Sequence, residues 1–359
     1  MLYTLRDKVL SGKRITEEEA LGLFESDDIF SLGALANRLA EKKNGKKAFY
    51  IRNRHINPTN ICVNRCKFCA FSKSKGQEGS YELTIEDIIR KLKMHSSRSK
   101  TAVSEVHIVG GLHPDWPFEY YLSMISAIKK HYPHLHIKAF TAVEIDYFSK
   151  ISGLSLTATL KALKKKGLGS MPGGGAEIFS KEIRDRLCPE KISGDRWLEV
   201  TETAHRIGIR TNATMLYGHV EDYADRIDHL SKLRNLQDKT MGFQAFIPLA
   251  YHPKNTQIAG SYTSGIDDLK TIAISRIFLD NFSHIKAYWV MLGEKISQLS
   301  LIFGADDIDG TIIEEKITQS AGALTSEKLT AEQLAYLIRK AGKIPVERDS
   351  FYKAIRTPK

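Results

Sequence analysis

The chain has 359 residues, is 42% hydrophobic, and carries 53 lysines and arginines against 42 aspartates and glutamates, a formal net charge of +11. That hydrophobic share suits a large buried core and excludes a disordered chain, and four cysteines, three of them within eight positions, exclude the distributed disulfide framework of a secreted domain. No stretch reaches the roughly 18 to 20 apolar residues of a membrane helix, and the first segment, MLYTLRDKVLSGKRITEEEALGLFES, lacks the apolar run of a signal peptide, so the expected setting is the cytoplasm.

Helical spacing opens the chain, over residues 3–24 and 29–42. Short β-rich runs then alternate with amphipathic helical runs, the pattern of a parallel sheet with crossover helices. Eight strands are predicted: AFYIRNRHI (48–56), EVHIVGG (105–111), HIKAFTA (136–142), LGSMPGG (168–174), RTNATMLYG (210–218), FQAFIPLAY (243–251), IKAYWVML (285–292) and LSLIFGADD (299–307). Helical runs between them include TIEDIIRKLKMH, with Thr84 as N-cap and Asp87 three residues on, and EYYLSMISAIKKHY, stopped by Pro133. With no linker or composition break, the expected fold is α/β, a single (β/α)8 TIM-type barrel with helical extensions at both ends. The expected division is an N-terminal extension over 1–46, a barrel core over 47–310 and a C-terminal extension over 311–359. Such barrels place their chemistry at the C-terminal ends of the strands, so trailing residues become the site candidates.

The first strand runs into HINPTNICVNRCKFCAFSKS, which holds Cys62, Cys66 and Cys69. Thiolates are soft ligands suited to zinc or iron-sulfur clusters. A structural zinc site is normally closed by four protein ligands, and the fourth here would be Cys188 or a histidine such as His55. Cys188, in RDRLCPEK at an expected helix end, reads as an ordinary thiol. A cubane cluster takes one ligand on each of four irons, so three cysteines leave one iron open.

Cys62, Cys66, Phe68 and Cys69 form a CxxxCxxC motif with an aromatic residue before the last cysteine, which resembles the hallmark of radical S-adenosylmethionine (SAM) enzymes. The resemblance implies a [4Fe-4S] cluster whose open iron is chelated by the amino and carboxylate groups of SAM, and reductive release of a 5'-deoxyadenosyl radical. It continues through VGGLHPD, GGGAEIF, RTNATMLYGHVED, LRNLQD, FQAFIPLAYHPKN, GADDIDGT and AGKIPVERD, over roughly residues 48–349, in the order of the menaquinone-biosynthesis radical enzymes of the futalosine route. NATMLYGH followed by FIPLAYHPKNT is similar to the aminofutalosine synthase branch more than to the sister cyclase acting on dehypoxanthine futalosine. The implied reaction adds the adenosyl group to the vinyl carbon of 3-[(1-carboxyvinyl)oxy]benzoate, giving 6-amino-6-deoxyfutalosine, bicarbonate and methionine. The implied reductant is a flavodoxin or ferredoxin.

By that resemblance the cysteines bear the cluster and Phe68 lies beside the adenine. Gly110 and Gly111 meet the methionine amino group, through backbone atoms only because Leu112 follows where an acid would stand. Gly173, Gly174 and Gly175 precede AEIFSKEIRDRL as a helix start with free N–H groups, and Glu177 is the candidate for the SAM ribose or amino group. Substrate carboxylates call for basic partners, for which Arg54, His55 and Arg210 are the candidates. Asn212 and Thr214 share one strand face. His113, His219 and His252 follow strands as proton-transfer candidates, and Tyr217, Phe243 and Tyr251 are candidates for stacking on the benzoate ring.

Two further readings are weaker. A plain iron-sulfur electron carrier would not need eight strand ends. A radical enzyme acting on RNA is permitted by the basic charge, but the chain has no appended RNA-binding module and no basic run interleaved with aromatics, so no nucleic-acid partner is expected. ADDIDGTIIEEK (305–316) imitates a calcium loop but has Ala305 at the first ligand position and Lys316 at the last.

Overall fold

The computed structural model describes residues 2–96, 103–312, 315–323, 325 and 328–358. Three helices come first: α1 (Leu2–Leu10), α2 (Glu17–Glu25) and α3 (Ile29–Asn44). The helix expected over 3–24 is divided because Gly12 takes a left-handed φ of 85° and Thr16 starts a new helix through a reciprocal capping box with Glu19.

Strand β1 (Lys47–Ile51) is followed after Arg52 by β2 (Asn53–Ile56), so the first expected strand serves two sheets. One sheet is parallel and seven-stranded, in chain order β2, β3 (Glu105–Ile108), β4 (His136–Ala139), β5 (Ser170–Met171), β6 (Arg210–Tyr217), β7 (Phe243–Ala250) and β8 (His284–Ile285). The intervening helices are α4 (Ile85–Ser96), α5 (Phe118–His131), α6 (Ala142–Ser152), α7 (Leu156–Lys166), α8 (Lys181–Leu187), α9 (Gly194–Arg206), α10 (Tyr223–Thr240) and α11 (Gly265–Phe278). After β8 come α12 (Trp289–Ser300), β9 (Asp307–Gly310), α13 (Ile317–Ser320), α14 (Ala331–Lys340), β10 (Ile344–Arg348) and β11 (Ala354–Arg356).

The second sheet has the order β11-β10-β1-β9, so the C-terminal segment brings strands as well as a helix and pairs one of them, in parallel, with β1. β9 also joins the two edges of the seven-stranded sheet. Ala287 N–H donates to the Asp307 carbonyl at 2.8 Å beside β8, and the Thr311 hydroxyl donates to the Asn53 carbonyl at 2.9 Å beside β2. The ring therefore closes as a TIM-type barrel through β9 rather than through the strand expected at 299–307, whose residues end α12 and then turn at Gly304, φ 102°. Likewise, the strand expected over 285–292 stops at Ile285, and α12 begins at Trp289.

The register decides which residues can face the barrel interior. His55, His107 and Lys138 are Cα partners at one level of β2, β3 and β4, and Lys138 pairs in turn with Ser170 of β5. Arg54, Val106 and Ile137 form the neighbouring level. Side chains alternate along a strand, so these levels point to opposite faces; Val106 and Ile137 are fully buried on the helix-covered side.

Candidate active site

β2 leads into the cysteine loop, which neighbouring backbone holds at several points. Cys62 N–H donates to the Lys73 carbonyl at 3.1 Å, Val63 N–H to Leu112 at 2.9 Å, and Lys67 N–H to Leu187 at 2.8 Å. Gly111 lies so close that a Cβ there would come within 2.1 Å of the Ile61 carbonyl oxygen, so this position admits no side chain. Cys66 is buried, Cys62 and Cys69 are half-buried, and all three thiols are free.

The three cysteines line one side of a cavity of about 320 Å³ above the C-terminal ends of the strands. Its wall continues through Asn57 and Val109 after β2 and β3, Gly173 to Gly175 after β5, Asn212 and Thr214 on β6, and Tyr251 and His252 after β7. This volume suits a small ligand. Among the described residues, no three His, Cys, Asp or Glu side chains converge tightly enough to hold one metal ion. A mononuclear zinc site would need such convergence, whereas a cubane takes its thiolates on separate irons. Three thiols spread over one loop and facing a shared cavity fit the cubane. Cys188 is buried and within hydrogen-bonding reach of Cys66, but it does not line the cavity.

Several expected residues reach this space. Phe68, Gly110, Gly111, Gly174, Gly175, Glu177, His55, Asn212, Thr214, Tyr251 and His252 all line it. Glu177 accepts a salt bridge from Lys191 at 2.5 Å, and the same ammonium sits 5.0 Å from the centre of the Phe68 ring. Burial opposes the Lys191 charge, but Cys66 and Glu177 more than offset it, and the ammonium is held protonated.

Other expectations are corrected. Arg54 is fully buried but donates to the Lys91 carbonyl of α4, outside the barrel, because it neighbours His55 on a strand and so faces the other way. Arg210 is the first residue of β6, at the end of the barrel opposite the cysteines, where it is exposed and donates to the Met241 carbonyl at 2.7 Å. Neither arginine lines the cavity. The glycines 173 to 175 do not start a helix: Gly175 and Glu177 have φ of 85° and 49°, and α8 begins only at Lys181. Gly173 instead lets the loop pack on β6, since a Cβ would stand 2.8 Å from the Asn212 carbonyl oxygen.

His113 stacks on Trp116 and contacts Glu82 at 2.5 Å, and His219 bonds Leu216 and Glu221; both lie away from the cavity. Tyr217, whose hydroxyl donates to Asp268 at 2.7 Å, and Phe243 are core residues.

Several of the titratable lining residues, His107, Lys191, Glu144, Asp309 and Glu315, are not singled out by sequence. His107 was legible in principle, because it alternates with Val109 and Gly111 along EVHIVGG. Glu144 caps α6 through Thr141 and accepts the Gly110 N–H at 3.2 Å; burial pushes its carboxyl up to about 7. Asp309 is paired with Lys286 at 3.1 Å.

The family model for the radical SAM superfamily matches residues 56–233, and that for the CofH/MqnC C-terminal region matches 240–359. The chain is 44% identical to an aminodeoxyfutalosine synthase of Thermus thermophilus, covering 99% of this chain and 96% of that protein. It is 42% identical to a 5-amino-6-(D-ribitylamino)uracil–L-tyrosine 4-hydroxyphenyl transferase of Methanococcoides burtonii, covering 95% and 96%. It is 38% identical to a cyclic dehypoxanthine futalosine synthase of Streptomyces coelicolor, covering 98% and 88%. In structure it is similar to methylornithine synthase, with a TM-score of 0.75 over 95% of this chain and 97% of the other at 18% identity, which bears on the fold alone. With the cysteine loop facing a barrel-mouth cavity and relatives of this kind along nearly its whole length, the chain belongs to the radical SAM superfamily as a transferase-type enzyme carrying the CofH/MqnC C-terminal region.

Proposed function

We propose that this enzyme is an aminofutalosine synthase, joining the 5'-deoxyadenosyl group of SAM to 3-[(1-carboxyvinyl)oxy]benzoate with uptake of one water and release of bicarbonate and methionine. The observation that carries this reading is full-length likeness to aminodeoxyfutalosine synthase combined with one cavity that spans from the three cysteines to the polar floor of the barrel. Two small molecules must meet there. When bound by Cys62, Cys66 and Cys69, a [4Fe-4S] cluster supplies the single electron that cleaves the SAM sulfonium.

The residues of this chain do the positioning. Glu177 and the walls around Gly110 and Gly174 are placed to meet the polar end of SAM, and Phe68 offers a ring face to the adenine. Asn212 presents an amide, and Thr214 is committed to the Gly173 carbonyl at 2.7 Å. Val109, Leu112, Ile247, Leu249 and Met291 supply an apolar wall that keeps water and competing hydrogen donors from a radical. His252, whose Nε2 lies 2.9 Å from the Met291 carbonyl, is the one of the three strand-end histidines that lines the cavity, and it is the candidate for proton transfer as bicarbonate leaves. The reductant is a flavodoxin or ferredoxin and the setting the cytoplasm; among the described residues no helix is long and apolar enough to cross a membrane.

The test is anaerobic reconstitution with iron and sulfide, reduction, and mass spectrometry of the products formed with SAM and the enol ether. Aminofutalosine is the expected product. Turnover of dehypoxanthine futalosine alone would assign the sister reaction, and turnover of tyrosine with 5-amino-6-(D-ribitylamino)uracil alone would assign the third.

A further inference from the structure

Resting on the function just proposed, we infer that His55 and His107 form the receptor for the ring carboxylate of the substrate at the floor of the cavity. The two are Cα partners on adjacent parallel strands, and their ring centres lie 4.4 Å apart. Both line the cavity, and each is the deepest lining residue on its strand, since Asn57 and Val109 follow them toward the mouth. Both carry a buried Nε2 with no hydrogen-bond partner. Buried polar atoms are normally satisfied, and these two nitrogens, side by side in residues that line the cavity but shielded from its open space, gain partners when the rings turn toward a bound ligand.

The chemistry around them selects an anion with paired oxygens. Burial holds His55 down to about 4 and His107 well below its ordinary value, so both rings are neutral and each offers one N–H donor. Beside them lie Lys138, the Cα partner of His107, and Lys286, already paired with Glu105 at 2.9 Å and Asp309 at 3.1 Å. Those two lysines are compensated by their carboxylates, which leaves the imidazoles as the uncommitted donors on this wall. No arginine lines the cavity among the described residues, and its ammonium, Lys191, is engaged by Glu177. The four lining carboxylates are likewise engaged: Glu177 and Asp309 by lysines, Glu144 and Glu315 by backbone N–H groups of Thr141 and Thr318 at 2.7 and 2.9 Å. A carboxylate seated on the histidine pair directs the enol ether up toward the cysteine loop, where the adenosyl carbon must arrive.

The test compares the enol ether with 2-phenoxyacrylate, the same molecule without the ring carboxylate. His55→Phe and His107→Phe are expected to raise KM for the enol ether by about 10- to 100-fold, the loss of one hydrogen bond to a charged group, and to leave KM for 2-phenoxyacrylate within about threefold. His55→Gln and His107→Gln, which keep an N–H near the Nε2 position, are expected to retain most of the discrimination. Equal losses on both compounds, or no loss on either, would overturn the receptor while leaving the reaction standing. Binding of 3-methoxybenzoate by calorimetry reads the receptor without turnover. If the wild type binds it, the double Phe variant does not, and the enol ether gives no product, the receptor stands and the proposed reaction falls.

Discussion

Lys191 donates to Glu177 at 2.5 Å within the cavity wall, with the two side chains only 12% and 11% exposed. Each charge is tolerated because of the other: a buried ion pair adds little net stability, but removing one partner strands the other. Lys191→Met is therefore expected to destabilise the protein by about 3 kcal/mol, read as a lowered urea midpoint. The double variant Lys191→Met, Glu177→Gln should regain most of that loss; if it is as unstable as the single variant, the pair is not what holds this wall.

The thiols divide into a facing set and one behind it. Replacing Cys62, Cys66 or Cys69 by Ala is expected to abolish iron loading and the cluster absorption after reconstitution. Cys188→Ala should keep both, because this thiol is buried off the cavity beside Cys66. Loss of iron in the Cys188 variant equal to that of Cys66→Ala would make it a fourth protein ligand and close the open iron.

Gly111 is a packing requirement of the cysteine loop. A methyl group there would meet two backbone atoms, the Ile61 carbonyl oxygen at 2.1 Å and carbon at 2.7 Å, neither of which moves without the loop. Gly111→Ala should cost roughly 3 kcal/mol, the upper part of the range for overpacking, and lower iron retention. At Gly174 the nearest contact is the Thr141 methyl at 3.1 Å. Gly174→Ala should be close to neutral in thermal denaturation.

Acid should weaken the fold through its buried histidines. His229 is fully buried, stacked on Phe179 at 4.0 Å, and bonded through Nε2 to the Thr214 carbonyl at 2.9 Å. Burial holds its pKa down to about 3, against an ordinary value of 6.5. The unfolded chain then binds a proton that the folded chain refuses. Stability is complete above about 6.5 and is lost as pH falls toward 3, by an amount on the order of 5 kcal/mol, of which about 3 kcal/mol is gone by pH 4.5. Glu144 works the other way: raised to about 7 by burial, its contribution is lost as pH climbs from 4.5. Urea midpoints at pH 7 and pH 4.5 should differ less in His229→Gln than in the wild type; an unchanged difference would remove His229 as a cause.

The strand order, the capped helices and the cysteine loop were legible because each rests on local chemistry: period-two burial, capping boxes, and thiols at fixed spacing. Phase and closure were not. Arg54 and His55 are equally basic candidates in sequence although adjacent strand residues cannot face the same way, and only pairing with Val106 and His107 shows which of them is inside. Apolar content marks LSLIFGADD as the eighth strand, whereas β9 is the polar run Asp307–Gly310, whose acids are matched by Arg348 at 2.7 Å and Lys286 at 3.1 Å. Lys191 reaches the cavity from the turn after α8, a meeting of distant segments that no local pattern records.

The closing role of β9 has a consequence for how this sequence divides. The two matched family segments meet between residues 233 and 240, just before β7. The barrel strands β7, β8 and β9 thus lie in the second segment, while β1, to which both β9 and β10 pair, precedes the first. The two matches part the chain where the hydrogen-bonded ring does not, so neither matched segment alone closes the barrel, and each presents the other with the raw sheet edge it needs covered.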